Sequence, residues 1–205
     1  MSEPSIQPEP QPEPSPDASD EELLLRHRAG DARAFAQLVR RYERELFHFL
    51  FRFLGERGAA EDVFQDAFLQ LHRSADSFES GRSFRPWLFT IAANKARDTL
   101  RSRKRRVHTT STTAEDNEPI DLLAAAGAMP AEPLEREELR DEVQKTMQNM
   151  PESMREVLLL SYFHDFSYKE ISAMLDVPLG TVKSRLHAAV GYFGKAWIKK
   201  EKSKK

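Results

Sequence analysis

Ser167-Tyr168-Lys169-Glu170-Ile171-Ser172-Ala173-Met174-Leu175-Asp176-Val177-Pro178-Leu179-Gly180-Thr181-Val182-Lys183-Ser184-Arg185-Leu186-His187-Ala188-Ala189-Val190-Gly191-Tyr192-Phe193 is the stretch on which the fold turns. Ser167 and Glu170 stand at capping-box spacing, so each can satisfy a free backbone donor at a helix start. Ile171, Met174 and Leu175 supply one apolar stripe, and Asp176 to Gly180, with its proline and glycine, interrupts it. A second helix then carries Val182, Leu186, Ala189 and Phe193 on one face and leaves Lys183, Ser184 and His187 outward. Two short helices joined by a tight turn, the second opening on small and basic residues, form the arrangement with which a helix-turn-helix reaches a DNA major groove. The plainer alternative for this segment alone is a helical hairpin with a solvated basic face.

Working outward, the same helical period recurs along the chain. Phe35, Leu38, Val39, Tyr42, Leu46, Phe49, Leu50 and Phe53 hold it over about five turns, with Asp31 placed as a cap and Gly55 to Gly58 as the break. A third helix over roughly Ala60 to Arg73 buries Phe64, Ala67, Phe68 and Leu71. A fourth starts near Phe84 to Pro86, where proline's missing N–H costs nothing. It carries Trp87, Leu88 and Ile91 on its apolar side and Asn94, Arg97, Arg101 and Lys104 on the other. Beyond Pro133, Leu139, Val143, Met147 and Met150 make a further stripe that Pro151 ends. No strand pattern appears. The expectation is an all-α chain of two small helical domains joined by a flexible linker, the C-terminal one holding the helix-turn-helix.

The boundaries follow composition. Residues 1–18 alternate proline with Glu, Gln, Ser and Asp and cannot build a core, so a disordered tail is expected there, with Asp20 capping the first helix. An N-terminal domain over 19–106, a Thr/Ser-rich then acidic linker over 107–133, a C-terminal domain over 134–198 and a basic tail over 199–205 complete the division.

Charge is segregated, and that says more than the formal net charge of −2. Arg97, Arg101, Arg103, Lys104, Arg105 and Arg106 crowd one segment against the single acid Asp98, whereas acids collect in residues 1–22 and 115–142. The acidic tail and linker are therefore expected to cover the basic segment in the free protein. With no cysteine in the chain, disulfides, thiolate metal sites and cysteine nucleophiles are excluded. The six histidines lack metal-ligand spacing and no nucleotide-binding glycine loop is present, so no metal and no cofactor are expected. Apolar runs are too short to span a bilayer and the N-terminus has no signal-peptide pattern, so the expected location is cytoplasmic, with no membrane insertion.

Three motifs carry a resemblance to a known family. Ala60-Glu61-Asp62-Val63-Phe64-Gln65-Asp66-Ala67-Phe68 resembles the polymerase-clamp motif of bacterial RNA polymerase sigma factors. Phe84 to Asp98, Phe-Arg-Pro-Trp-Leu-Phe-Thr-Ile-Ala-Ala-Asn-Lys-Ala-Arg-Asp, is similar to their promoter-melting helix. Gly180-Thr181-Val182-Lys183-Ser184-Arg185-Leu186 matches the start of their upstream-element reader. The order and the linker resemble the sigma-70 family's extracytoplasmic-function (ECF) group, over residues about 30–106 and 135–196.

The resemblance implies a promoter-specificity subunit, not an enzyme, that binds core RNA polymerase through the β′ coiled coil and the β subunit. It also implies a second partner, promoter DNA, and a third, an anti-sigma factor. Asp62, Gln65 and Asp66, at i, i+3 and i+4, share one polar helix face suited to a basic partner helix. For the −10 element as single strand, Asn94 offers a donor and an acceptor to a base edge, and Arg97, Arg101, Arg103 and Lys104 can track phosphates. Phe78, Arg82 and Ser83 are candidates for the loop that pockets a flipped base. For the −35 element as duplex, Thr181, Lys183, Ser184, Arg185 and His187 stand near the recognition helix's N-terminus. One departure is visible. Where many relatives continue with Arg-Ala-Arg, this chain has Ala188-Ala189-Val190-Gly191, and Gly191 and Gly194 are expected to loosen the helix. Rival readings are an operator-binding dimeric regulator, which leaves the clamp motif unexplained, and a sigma-like adaptor that sequesters an anti-sigma factor.

Overall fold

A computed structural model describes residues 14–79, 81–109 and 134–203. Among them the chain is helical, with no strand. The helices are α1 (Asp20–Arg28), α2 (Ala32–Leu54), α3 (Arg57–Ser74), α4 (Phe84–Thr109), α5 (Leu134–Gln148), α6 (Glu152–Leu158), α7 (Tyr168–Leu175) and α8 (Leu179–Ser203). A 3₁₀ turn follows α3 at Ala75–Ser77, and a π-helical turn, Leu159–Phe163, follows α6.

The first four helices pack around Leu38, Leu46, Phe49, Phe53, Leu71, Phe84 and Leu88, all fully buried. Their ends are set by side chains. Ser19, not Asp20, caps α1: its hydroxyl accepts the Glu22 N–H at 3.1 Å, which frees the Asp20 carboxylate to accept from Tyr42 and Arg41. Asp31 caps α2 as expected, accepting from the Arg33 and Ala34 N–H groups. Gly55 ends α2 in the left-handed region, at φ +80°, and the Gln148 side chain lies 2.6 Å from where a Cβ would stand. Only glycine meets both demands at low cost.

In the C-terminal module α6, α7 and α8 enclose Val157, Leu159, Leu160, Ile171, Val182 and Ala189. The capping box of α7 is present as read: Glu170 N–H donates to Ser167 Oγ at 3.3 Å, and Ser167 N–H donates to Glu170 Oε2 at 2.8 Å. Those bonds hold the Glu170 carboxyl below its ordinary range. Asp176 turns the chain in the left-handed region at φ 50°, and Ser172 Oγ donates to the Val177 carbonyl at 2.6 Å. Two expectations are revised. The glycines 191 and 194 do not interrupt α8, which runs unbroken to Ser203 and takes in the start of the expected basic tail. The segment expected as linker from residue 107 begins later, because α4 continues to Thr109. The acidic part of the linker and residues 1–13 lie outside the described residues.

The two modules do not stand apart. Arg85 at the start of α4 donates to Glu45 of α2 (Nε–Oε1 3.1 Å) and to the His164 carbonyl at 2.6 Å, while His164 Nδ1 lies 3.3 Å from Glu45 Oε1. Phe49 and Phe89 meet the His164 ring with centroids 5.6 and 5.1 Å apart, and Phe89 meets Phe166 at 5.0 Å. Gln148 Nε2 donates to the Arg52 carbonyl at 2.6 Å. The two helical domains expected are present, and in this structure they pack against one another along a polar-aromatic seam.

Candidate polymerase and nucleic-acid interfaces

Helix α3 divides cleanly. Val63, Ala67 and Phe68 are buried, and Phe64 packs on Phe68 with ring centroids 5.0 Å apart. Asp62, Gln65 and Asp66 are all exposed, as their spacing predicts, and among the described residues no hydrogen bond or ion pair engages them. Leu69, one turn beyond, is 51% exposed on the same side, an apolar group that charge-based reading passes over.

The cations of α4 separate into three directions. Arg101 points outward and pairs with Asp98 at 3.3 Å. Arg103 turns back to Glu56, ahead of α3. Arg97 and Lys104 face the second module, where Arg97 Nε lies 3.6 Å from Glu156 Oε1 and Lys104 Nζ lies 2.6 Å from Glu152 Oε1. Asn94 is exposed and its Oδ1 accepts from Arg97. The five residues proposed from sequence on this helix thus share one element but not one surface.

In the preceding loop Arg82 and Ser83 are exposed, with Arg82 held to Glu79 at 2.9 Å. Phe78 is 8% exposed and lies against Trp87, ring centroids 4.9 Å apart, and against Phe84. In this structure its ring belongs to the aromatic core under the loop, because the 3₁₀ turn Ala75–Ser77 swings it inward.

In the helix-turn-helix, Lys183, Ser184 and His187 are exposed along the first turns of α8, with Ser184 Oγ donating to the Thr181 carbonyl at 3.1 Å. Thr181 is half-buried, its N–H spent on the Pro178 carbonyl at 2.8 Å. Arg185 is half-buried and near enough to Glu156 to bear on its titration.

Glu156 is the residue that sequence reading missed. Its side chain is 3% exposed and its Oε1 has no hydrogen-bond partner among the described residues. Burial pushes its carboxyl up to about 7, against the pull of Arg97, Arg185 and Arg101. Glu45 goes the other way. Burial raises it, but hydrogen bonds from His164 and Arg85 and their charges prevail and hold it at about 2. Neither partnership has a local signal: Glu156 and Arg97 lie on opposite sides of the linker, in different modules.

Among the described residues no cluster of His, Asp or Glu stands in metal-binding proximity. No described helix is long and apolar enough to cross a membrane.

A helical module with an exposed polar face and a cationic helix, joined to a helix-turn-helix module, has the make-up of a two-module DNA-reading protein of transcription. Residues 38–106 match Sigma-70 region 2 and residues 140–191 match Sigma-70, region 4. The chain is 36% identical to the RNA polymerase sigma-H factor of Pseudomonas aeruginosa over 174 residues, 83% of this chain and 89% of that protein. It is 34% identical to the ECF RNA polymerase sigma-E factor of Escherichia coli K12 over 173 residues, 83% and 90% of the two chains. Among solved structures it is similar to the sigma factor RpoE in complex with the anti-sigma factor NepR from Bartonella quintana. There the TM-score is 0.65 and the identity 25%, over 80% of this chain and 96% of that one. CnrH in complex with the cytosolic domain of CnrY gives a TM-score of 0.63 at 27% identity, over 86% and 95%. The chain belongs to the sigma-70 family of RNA polymerase sigma factors, in its ECF group, and serves promoter-specific initiation of transcription.

Proposed function

We propose that α3 docks on core RNA polymerase through Asp62, Gln65 and Asp66, that α4 with the Arg82–Ser83 loop holds the −10 element as a single strand, and that α8 reads the −35 element as duplex. The chain is then a specificity subunit with no chemistry of its own, and its place is the cytoplasm with the polymerase. The observation that carries the reading is the exposed Asp62-Gln65-Asp66 face on a helix whose other side is fully packed. An unsatisfied polar face on a rigid element suits a basic helix of a partner.

At α4 the exposed Asn94 and Arg101, with Arg97 and Lys104 once released from Glu156 and Glu152, supply a base-edge group and a cationic track. Two structural neighbours were solved with an anti-sigma factor or a partner's cytosolic domain bound, which supports an anti-sigma factor as the third partner of this chain.

The test is initiation by the reconstituted complex. Purified chain is added to core RNA polymerase and fragmented DNA of its own genome, and transcript starts are mapped. Discrete starts sharing −35 and −10 sequences, lost on Asp62→Ala/Gln65→Ala/Asp66→Ala with the thermal melt unchanged, are expected. Polymerase binding without initiation favours the adaptor reading instead.

A further inference from the structure

With Arg97 and Lys104 paired across the seam, the acidic segments of the chain have lost their most obvious intramolecular target. A different cationic surface lies open. Along α2, Arg41, Arg44, His48 and Arg52 fall on one face and line a cavity of about 410 Å³ whose opposite wall is Phe163 and His164 of the second module. The one acid in its lining, Glu45, is committed to Arg85 and His164. Arg41 is committed to Asp20.

Among the described residues no carboxylate pairs with the remaining cations. No ion pair among the described residues holds Arg44, and the Arg52 guanidinium lies 4.2 Å over the Phe163 ring. The His48 imidazole is held below its ordinary value by burial and by the positive charges of Arg52, Arg44 and His164. Burial and the nearby charge of Arg140 likewise lower Arg52. Like charges gathered in a half-buried cleft repel one another, and an anion seated there relieves that cost.

The N-terminal segment is anchored at the rim. The Ser15 carbonyl accepts from Gln37 Nε2 at 3.0 Å, and the Pro16 and Ala18 carbonyls accept from Arg41 at 3.2 and 3.0 Å. Residues 1–13, which lie before it, carry Glu3, Glu9 and Glu13 and no cation among their side chains. From Gln37, Arg44 lies about 11 Å and Arg52 about 23 Å along the helix axis. Six residues from Ser15 to Glu9 reach about 20 Å and twelve to Glu3 about 40 Å, so both arginines are within range. Proline-rich sequences in general favour extended chain and lose less entropy on docking, and residues 1–13 hold Pro4, Pro8, Pro10 and Pro12.

We propose that the acidic N-terminal segment, residues 1–13, docks in the cationic cleft between α2 and the Phe163–His164 turn and straps the two modules together. The cleft's walls belong to both modules, so the docked segment opposes their separation. The proposal stands apart from the assignment of polymerase and DNA contacts, none of which it uses.

The chain has no cysteine, so Ser5→Cys in the full-length protein carries a single nitroxide label. At about 20 mM salt, amide signals of residues 44–52 and of Phe163 and His164 are expected to lose at least about half their intensity relative to a diamagnetic control. Attraction between charges is screened within about 4 Å at 0.5 M salt, so the signals should recover there. They should also recover in Glu3→Gln/Glu9→Gln/Glu13→Gln, which leaves the packed core untouched. Undiminished cleft signals at low salt overturn the strap. So does broadening centred on residues 97–106, which places the segment on the cationic helix, and so does broadening that survives the glutamine variant, which makes the contact apolar.

Discussion

Glu156 is a carboxylate placed where charge is costly. It sits between Arg97 of α4 and Arg185 of α8, yet burial outweighs their attraction and its carboxyl stands at about 7 rather than in the ordinary range. The sign follows from linkage. A carboxyl raised in the packed state contributes stability in full below its unfolded value near 4.5, and loses it as pH rises through about 7. Between those values the melt of the wild type should fall relative to Glu156→Gln, by an amount on the order of 3 kcal/mol at its largest. The difference should level off above pH 7. A flat difference across that window would show that the carboxylate is solvated and that the seam is open in solution. Glu45 titrates in the opposite sense, since its hydrogen bonds from His164 and Arg85 are lost as pH falls toward 2. Its side chain is one-third exposed, so solvent screens much of the effect.

At the scale of elements, the helices declare themselves through caps and stripes, and these are local. The Ser167–Glu170 box is legible because both partners lie within one turn, and Ser167→Ala should cost about 1 kcal/mol in the thermal melt. The glycines of α8 are harder to read. Gly191 and Gly194 look like breaks, but the stripe Val182, Leu186 and Ala189 is buried, and tertiary packing carries the helix through them. Nothing lies within 4 Å of a Cβ at either position, so Gly191→Ala and Gly194→Ala should each stabilise by up to about 1 kcal/mol. A destabilising result would place a neighbour against that face. The exposure of Asp62, Gln65, Asp66, Lys183, Ser184 and His187 was legible for the same reason, since a helix face follows from spacing alone. Phe78 was not, because a loop has no period and the 3₁₀ turn that buries it leaves no mark in composition. Nor were the partners of Arg97 and Lys104, which come from another module.

For the whole molecule, the proposed DNA contacts imply that the packed arrangement is not the one that meets a promoter. Arg97 and Arg185 both act on the single carboxylate of Glu156, so the two proposed DNA-contacting helices lie close together, whereas −35 and −10 elements are separated along a duplex that rises about 3.4 Å per base pair. Binding both therefore requires the seam to part, breaking the Arg85 bonds to Glu45 and His164 and the Lys104–Glu152 pair. A ligand shifts such an equilibrium only through its differential affinity for the two states. Core polymerase, if it engages the modules separately, supplies that difference. The absence of cysteine permits a direct test with a dye pair at Glu43→Cys and Lys169→Cys, both exposed and on opposite sides of the seam. The free protein should show a dominant short distance, and core polymerase should convert it to a long one. Glu45→Gln removes the carboxylate that Arg85 and His164 share, and should raise the open population several-fold without polymerase, since each 1.4 kcal/mol lost from the seam is tenfold in that ratio. A distance that is already long in the free wild type, and unmoved by Glu45→Gln, would mean that the modules part without help and that polymerase meets an open chain.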